Sequence, residues 1–189
     1  LENNTTIEAE MIIAGIGSLP TTDLFQHTGL EIKNGILTNE FCETSIKDIY
    51  AVGDVSNFYH PFYKKNIRLE SYQHAQNHGI SAGKNIVGIQ SEYKSIPWMW
   101  SNQFNLNLQV SGVCDEYEEI IVRGKNIDEG IIYFFLKKEK IYGACGLGLT
   151  GKISKDIKIA SKLIEMNIVI DKNILSNQEQ NLKLLLKNK

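Results

Sequence analysis

A short apolar run that stops abruptly at a glycine and an aspartate constrains the fold of this chain more than any other feature. Residues 44–54 read Thr-Ser-Ile-Lys-Asp-Ile-Tyr-Ala-Val-Gly-Asp. The part from Asp48 to Val52 has the length and the side chains of a buried strand. In open α/β sheets, ligands bind at the carboxyl ends of such strands. The segment therefore predicts an α/β sheet with a polar site where this strand ends.

The residues that close this strand suit a flavin, a ligand with ribityl hydroxyl groups and a pyrophosphate. The Asp54 carboxylate can accept a hydrogen bond from a ribityl hydroxyl group, and Gly53 lets the backbone approach closely. Backbone N–H groups near Val55 can face the cofactor if a helix starts there. The alternative for Asp54 is a helix N-cap, a common position for aspartate.

The predicted elements divide the chain into an α/β segment and an α+β module, with the boundary between Tyr93 and Pro97. Apolar residues at helical or alternating spacing, and turn signals such as Asn34-Gly35, mark the elements. In the first part they are a buried strand at 10–15, a loop at 15–20, a short helix at 22–28, a hairpin at 30–38 and a helix at 69–87. In the second they are strands at 106–110, 119–123, 130–136 and 141–145, a hairpin turn at 137–140, a helix at 154–166, a capping box at 176–179 and a final helix at 180–186.

Composition excludes several classes of protein. The chain has 189 residues, 42% of them hydrophobic, and a formal net charge of -2. This is ordinary globular composition and gives no electrostatic reason to expect nucleic-acid binding. No apolar run reaches the roughly 20 residues of a membrane span. The three separated cysteines form neither a disulfide framework nor a Cys-x-x-Cys pair, which favours a reduced cytoplasmic setting.

Several motifs together resemble one family. Residues 44–54 resemble the second FAD fingerprint of the two-dinucleotide-domain flavoprotein reductases, and Gly15-Ile16-Gly17-x-x-Pro20 resembles the loop that closes their NAD-binding domain. Further segments resemble the ferredoxin or rubredoxin reductase branch, which includes reductase components of oxygenase systems. These are Arg68-Leu-Glu-Ser-Tyr72 with the following Ala75-Gln76, Pro97-Trp-x-Trp-Ser-x-Gln103, and Arg123-Gly124. Asn102 and Thr21 depart from the usual Asp and Asn of this pattern.

The resemblance implies a fold of the α/β plus α+β class. Residues 1–94 would comprise the end of an NAD-binding domain and the second segment of a Rossmann-like FAD-binding domain. Residues 95–189 would form a reductase C-terminal domain with an antiparallel sheet and helices, of the kind associated with dimerisation.

The resemblance also implies the residues of the cofactor site. Asp54 would bind the ribityl chain, Val55 would contact FAD through its backbone beside Gly53, and Glu70 would lie near the nicotinamide side of the flavin. Trp100 would lie against the isoalloxazine with Trp98 close by, and Tyr72 stands where some relatives have Trp. The alternatives are core packing for the two tryptophans and a surface ion pair for Arg68 with Glu70. No catalytic residue and no metal ligand is predicted.

For the intact protein, the resemblance implies that electrons pass from NAD(P)H through FAD to a ferredoxin or rubredoxin. The absence of a redox-active cysteine pair disfavours disulfide reduction. The first glycine-rich FAD motif and the nicotinamide-binding domain of the family are expected upstream of Leu1. We therefore expect the chain alone to bind FAD weakly or not at all and to be inactive.

Two other functions remain open. The chain could be a non-catalytic dimerisation or interaction module that uses its C-terminal sheet and binds no flavin. The run Gly146-Leu-Gly-Leu-Thr-Gly151, with Asp171 about 20 residues later, fits a dinucleotide-binding pattern. Because only a short tail follows Asp171, turn glycines before a helix are favoured over a phosphate-binding loop.

The remaining polar candidates are interpreted as structural. His74 and His78 could share a helix face but lack a third zinc ligand, so solvated or packing histidines are favoured. Glu116, Glu118 and Glu119 fit a solvated strand edge, and Cys42 a buried thiol.

Overall fold

A small mixed sheet organises the first part of the computed structural model, which describes residues 2 and 4–187. Its strands are β1 (Ile36–Thr38), β2 (Ser56–His60) and β3 (Lys65–Arg68). β1 runs parallel to β2, and β3 runs antiparallel to β2. The helix α1 (Tyr72–Ile86) follows, and the side chain of Ser71 caps it by accepting a hydrogen bond from the backbone N–H of His74. A small core of Cys42, Phe58, Ala82 and Tyr93 joins helix and sheet.

A five-stranded antiparallel sheet with helices on one face forms the second part. The strand order is β4-β5-β8-β7-β6. The helices α2 and α3 and a C-terminal 3-10 segment pack against one face, where Ile132, Phe134 and Leu136 meet Ile157 and other buried side chains. The elements are β4 (Trp98–Gln103), β5 (Leu106–Gly112), β6 (Glu119–Arg123), β7 (Ile131–Lys137), β8 (Lys140–Leu149), α2 (Ser154–Met166), α3 (Lys172–Ser176) and the 3-10 segment Leu182–Lys187.

Two glycines in β8 let neighbouring segments lie close to this strand, α2 at Gly146 and the backbone of Gly130 at Gly148. A Cβ atom at Gly146 would lie 3.1 Å from the Cδ1 atom of Ile157, and a Cβ atom at Gly148 would lie 2.9 Å from the Cα atom of Gly130. Asp171 caps α3 by accepting hydrogen bonds from the backbone N–H groups of Asn173 and Ile174. The glycine run from Gly146 to Gly148 therefore lies inside a strand, so the dinucleotide-binding alternative is wrong and packing explains these glycines. Only Gly151, with φ +89°, lies in the turn that precedes α2.

Arg123 anchors the C-terminal segment from inside the protein. Its Nε atom donates to the Asp156 carboxylate at 2.9 Å, and this side chain is only 6% exposed. Its Nη atoms donate to backbone carbonyl oxygens, including Leu175 at 3.4 Å and Gln180 at 2.7 Å. One buried guanidinium thus joins β6, α2 and the chain between α3 and the 3-10 segment.

The two parts meet through aromatic and charged contacts. The Tyr63 hydroxyl group donates to the Tyr142 carbonyl at 3.1 Å, and the two rings meet edge to face at 4.8 Å. The Glu116 carboxylate lies between the ammonium groups of Lys65, at 2.8 Å, and Lys137, at 2.7 Å. These two bonds lower the pKa of Glu116 to about 2. Glu116 is exposed, as the interpretation of a solvated edge requires, and it also bridges the two sheets.

Three other predictions about elements are wrong. Residues 10–15 form no strand, and Ile12 and Ile13 are 86% and 88% exposed. The expected strand at 48–52 is reduced to a single antiparallel bridge between Tyr50 and Glu43, because Asp48 lies in a turn with φ +66°. The strand β2 begins only after the Gly-Asp pair. The capping box at 176–179 caps no helix, since Ser176 is the last residue of α3 and the terminal helix is 3-10.

Strands β2, β3 and β4 were not predicted, whereas most of the remaining elements follow the sequence pattern. The predicted helix at 69–87 is observed as α1, the helix at 154–166 has the predicted bounds, and the strands predicted at 106–145 are β5 to β8. Asn34 and Gly35 form the predicted tight turn with positive φ angles, and Lys138 and Glu139 do the same in the β7–β8 hairpin. The fold class, α/β plus α+β with an antiparallel C-terminal sheet, is confirmed. Within the described residues, no helix is both long and apolar enough to cross a membrane.

Candidate functional site

A tight 3-10 turn, Gly53–Val55, carries the Gly-Asp pair at the edge of the small sheet. Gly53 is buried with φ +71°, a conformation that favours glycine, and the Cβ atom of Ala75 lies 3.4 Å from where its own Cβ would be. Asp54 is exposed, and the strand β2 starts directly afterwards. The conditional prediction that a helix starts near Val55 is therefore wrong, and so is the alternative of a helix N-cap at Asp54.

Two buried histidines of α1 lie beneath this turn. The Gly53 N–H donates a hydrogen bond to His78 Nδ1 at 3.3 Å, and the hydroxyl group of Tyr93 lies 2.9 Å from His74 Nδ1. The Phe58 ring stacks on His74 at 4.9 Å. Burial lowers the pKa of His78 to about 3, and the neighbouring His74 acts in the same direction. Burial also lowers the pKa of His74, against an opposing effect of the Gly53 carbonyl and Asp54. Both rings are therefore neutral at physiological pH.

The packing interpretation of His74 and His78 is confirmed, and the zinc alternative finds no support. Within the part of the chain that the structure describes, no group of three or more His, Cys, Asp or Glu side chains is arranged to hold a metal ion. Cys42 is fully buried, and burial raises the pKa of its thiol to about 11. A buried structural thiol is thus the right interpretation of Cys42.

Arg68 ties the turn to the loop before α1. Its Nη1 atom donates to the Asp54 carbonyl at 3.2 Å and also to the Glu70 carboxylate, while its Nε atom donates to Asn34 Oδ1 at 3.2 Å. Hydrogen bonds from Ser18 and Arg68 lower the pKa of Glu70. The guanidinium thus does more than form an exposed pair, because it orders three chain segments around the predicted cofactor residues.

The two tryptophans lie beside the start of α1. Their rings stack at 4.9 Å with an angle of 23° between the planes, because residues two apart on β4 share one face. Trp98 packs partly against the main core, whereas Trp100 is 41% exposed. The Ser71 hydroxyl group donates to the Trp98 carbonyl at 3.3 Å, which joins β4 to the loop that holds Glu70. Core packing therefore explains the position of the Trp98 ring only in part, and it does not explain the position of the exposed Trp100 ring.

A narrow cavity of about 130 Å³ lies between the segment that carries Glu70 and the strand that carries Trp98. It lies between the loop before α1 and strands β4 and β5, and its lining includes Glu70, Trp98, Met99 and Val110. Tyr72, at the first position of α1, is 70% exposed. The structure thus brings the Gly53–Val55 turn and Glu70 together through Arg68, and joins Trp98 to them through Ser71. Trp100 follows through its stacking on Trp98.

The sequence interpretation missed His78 and underestimated Arg68. The spacing of His74 and His78 could have indicated a shared buried face, but nothing local indicated that Gly53 would be the partner. Arg68 carries a contact to Asn34, 34 residues earlier, which no local pattern reveals.

Comparison with known proteins places this geometry in a family. The sequence profile described as pyridine nucleotide-disulphide oxidoreductase matches residues 1–79, and the profile described as reductase C-terminal matches residues 98–186. The chain belongs to the pyridine nucleotide-disulphide oxidoreductases that carry a reductase C-terminal domain. The resemblance drawn from the sequence is thereby confirmed. Membership of this family implies the use of FAD and NAD(P)H.

Individual relatives agree with this assignment. The chain is 32% identical over 181 residues to the ferredoxin–NAD(+) reductase component of the anthranilate 1,2-dioxygenase system of Burkholderia cepacia, covering 95% of this chain and 44% of the relative. It is 28% identical over 185 residues to putidaredoxin reductase of Pseudomonas putida, covering 98% and 43%.

A solved structure shows the same fold. The covalent complex of putidaredoxin reductase with putidaredoxin superposes with a TM-score of 0.89 at 28% identity, covering 98% of this chain and 43% of that chain. The chain thus spans less than half the length of these relatives.

Proposed function

We propose that this chain is the C-terminal part of an FAD-dependent oxidoreductase that passes electrons from NAD(P)H to a ferredoxin or rubredoxin. The observation that carries the proposal is the exposed Asp54 carboxylate on a turn held by His78 and Arg68. Among the described residues, none donates a hydrogen bond to this carboxylate. Residues 1–94 would supply part of the FAD and NAD-binding domains, and residues 95–189 the C-terminal domain.

The residues fit a flavin. The Asp54 carboxylate is free to accept a hydrogen bond from a ribityl hydroxyl group, and Gly53 permits the tight turn that exposes it, because a side chain at Gly53 would meet Ala75. Val55 would contact the cofactor through its backbone, and Glu70, Tyr72, Trp98 and Trp100 would line the side of the ring system. When bound, FAD supplies the two-electron and one-electron chemistry that side chains lack, while these residues hold and orient it.

The acceptor is proposed from the relatives. Their names specify ferredoxin–NAD(+) and rubredoxin–NAD(+) reductases, and one solved relative is a complex with putidaredoxin. Within the described residues, Cys42, Cys114 and Cys145 are free thiols. Free thiols also favour a reducing cytoplasmic location.

A flavin titration tests the proposal. We expect the 189-residue chain alone to bind FAD weakly or not at all and to show no NADH oxidation. A longer protein that also contains the family's upstream domains should bind FAD stoichiometrically, and Asp54→Ala should weaken that binding about tenfold, the effect of one lost charge-assisted hydrogen bond. Asp128→Ala, which removes another exposed carboxylate, is the matched control. Tight stoichiometric binding by the chain alone, or no effect of Asp54→Ala in the longer protein, would contradict the proposal.

A second candidate function is that of a dimerisation module, favoured by the sheet face opposite α2. The pairing register places Val122, Tyr133, Cys145, Val110 and Met99 in one row across all five strands. Val122, Tyr133 and Met99 are 41%, 40% and 39% exposed. Light scattering on the chain tests this function. A dimer that Tyr133→Lys converts to a monomer supports it, and a wild-type monomer at all concentrations excludes it.

A further inference from the structure

The buried ring of His78 has a role that packing alone does not explain. We propose that His78 is a positioning residue, which holds the Gly53 backbone so that Asp54 presents its carboxylate to the cofactor. This inference rests on the proposed function, because it assigns a purpose to the turn that would carry the flavin ligand.

The His78 ring is fixed in place on several sides. It is fully buried, with ring centroids 5.0 Å from Phe58, 4.9 Å from His74 and 4.5 Å from Tyr93. The Cys42 thiol contacts the backbone carbonyl of His78 at 3.8 Å. A ring enclosed in this way cannot leave its hydrogen bond to Gly53 by a simple rotation.

The protonation of the ring shows what it contributes. Because His78 Nδ1 accepts the Gly53 N–H, Nδ1 carries no proton, and in a neutral imidazole the proton lies on Nε2. Within the described residues, His78 Nε2 is buried and has no hydrogen-bond partner. A buried unpaired donor is destabilising, and a leucine of similar size would not introduce one. What an imidazole provides here and a leucine does not is the acceptor for Gly53.

The bond to Gly53 acts together with Arg68 on the two sides of Asp54. His78 holds the peptide group before Gly53, and Arg68 Nη1 holds the carbonyl group of Asp54 at 3.2 Å. The positive φ angle of Gly53, +71°, sets the direction of the chain between them. With both flanking peptide groups held, the exposed Asp54 carboxylate is aimed by the backbone and needs no side-chain partner.

Two polar substitutions separate this role from simple packing. In His78→Asn, the amide oxygen can occupy the place of Nδ1 and accept the Gly53 N–H. In His78→Gln, the polar atoms lie one bond further, near the place of Nε2, and the Nδ1 acceptor is lost. His60→Leu is the control, since His60 is an equally buried ring of the same cluster that contacts the Ser95 carbonyl rather than Gly53.

The first measurement is amide hydrogen exchange at Gly53, followed by NMR on the 189-residue chain without flavin. Relative to wild type, we expect exchange about fivefold to tenfold faster in His78→Gln and nearly unchanged in His78→Asn and His60→Leu, after correction for global unfolding. Equal exchange in the Asn and Gln variants would overturn the positioning role.

The second measurement is FAD affinity in the longer protein. We expect His78→Gln to weaken FAD binding about tenfold and His78→Asn to stay within about twofold of wild type. If the wild-type longer protein binds no FAD, the proposed function fails while the exchange result at Gly53 still stands. If it binds FAD and His78→Gln binds equally well, the positioning role fails and the proposed function survives.

Discussion

Residues 10–15 and residues 141–145 are two apolar runs of similar composition, but only the second run forms a buried strand. Both predict a buried strand from the sequence. In the second run, Ile141 and Ala144 are 2% and 0% exposed inside β8, which pairs with β5 on one side and β7 on the other. In the first run, Ile12 and Ile13 are almost fully exposed and form no strand.

The difference teaches that a strand depends on its neighbours more than on its own residues. A strand must pair its backbone N–H and C=O groups and cover its apolar side chains. β8 pairs with β5 and β7, which both precede it in the chain, and is covered by α2. Residues 10–15 find neither a pairing strand nor a cover among the described residues. The four predictions that follow test this contrast, from the largest expected effect to the smallest.

In the well-packed second part of the chain, the largest loss of stability is expected when Arg123 is replaced. Arg123→Met would leave the Asp156 carboxylate and several carbonyl groups of the C-terminal segment without their partner. We expect the free energy of unfolding to fall by about 3–5 kcal/mol, measured by urea denaturation. Lys172→Ala, which breaks only partly exposed ion pairs, is the control and should cost at most about 1 kcal/mol. Equal losses in the two variants would show that burial of Arg123 does not matter.

Acid should weaken the first part of the chain through its histidines. The pKa of His78 in the folded chain is lowered to about 3, against about 6.5 when unfolded. Between these values the unfolded state binds a proton that the folded state does not. The stability conferred by neutral His78 is therefore complete above about pH 6.5 and is lost as the pH falls toward 3, by up to about 1.4 kcal/mol per pH unit.

The measurement for this prediction is urea denaturation at pH 7.5 and at pH 5. His78→Asn should lose less stability than wild type between the two values, since it removes one proton from the linkage. An unchanged pH dependence in His78→Asn would mean that His78 titrates normally in the folded chain.

Close packing of the Gly130 backbone against β8 should make Gly148 intolerant of a methyl group. Gly148→Ala would place a Cβ atom 2.9 Å from the Cα atom of Gly130, so we expect a loss of about 1–3 kcal/mol. Gly79→Ala is the matched control, because Gly79 lies inside α1 with open space around its Cβ position. That variant should gain about 0.5–1 kcal/mol from helix propensity. Thermal unfolding of the two variants measures both changes, and a stable Gly148→Ala chain would refute close packing.

A charged side chain in the exposed run 10–15 should hardly change the stability of this chain. Ile13→Lys changes a side chain that is 88% exposed, so we expect the free energy of unfolding of this chain to change by less than about 0.5 kcal/mol. In a longer protein that supplies strand neighbours for residues 10–15, the same change should be strongly destabilising. Denaturation of both proteins, with and without the substitution, gives the comparison. A large loss in the chain alone would show that the segment is already packed.

The sequence predicted the elements that carry their own periodicity. The bounds of α2 follow from its amphipathic pattern, and the turn at 34–35 follows from Asn and Gly, which tolerate positive φ angles. The turn at 138–139 follows from a run of charged residues between two apolar strands. The sequence did not predict that residues 48–52 form a single bridge after a turn at Asp48. An apolar run of five residues fits a strand, a bridge or a buried turn equally well, and Asp48 takes a left-handed conformation that no pattern indicates.

For the candidate site, the motif at 44–54 and the segments around Glu70 and Trp98 pointed to the family, which the comparisons confirm. The roles of Gly53, Asp54, Val55, Glu70, Tyr72, Trp98 and Trp100 toward the flavin remain predictions. The links among these residues come from Arg68, Ser71 and His78, whose partners lie 14 to 34 residues away and could not be inferred locally.

The sequence by itself determined the Gly-Asp motif, the two textures of the chain and the period of its main helices, because these depend on neighbouring residues. Only the tertiary structure decided that Gly53 is held by a buried histidine and that helix α2 packs against β8 at Gly146. Only the tertiary structure, likewise, left residues 10–15 without strand partners. The physical reason is that hydrogen bonds and packing join residues distant in sequence, so the fate of the Gly-Asp turn depends on α1 and β3 as well as on its own residues.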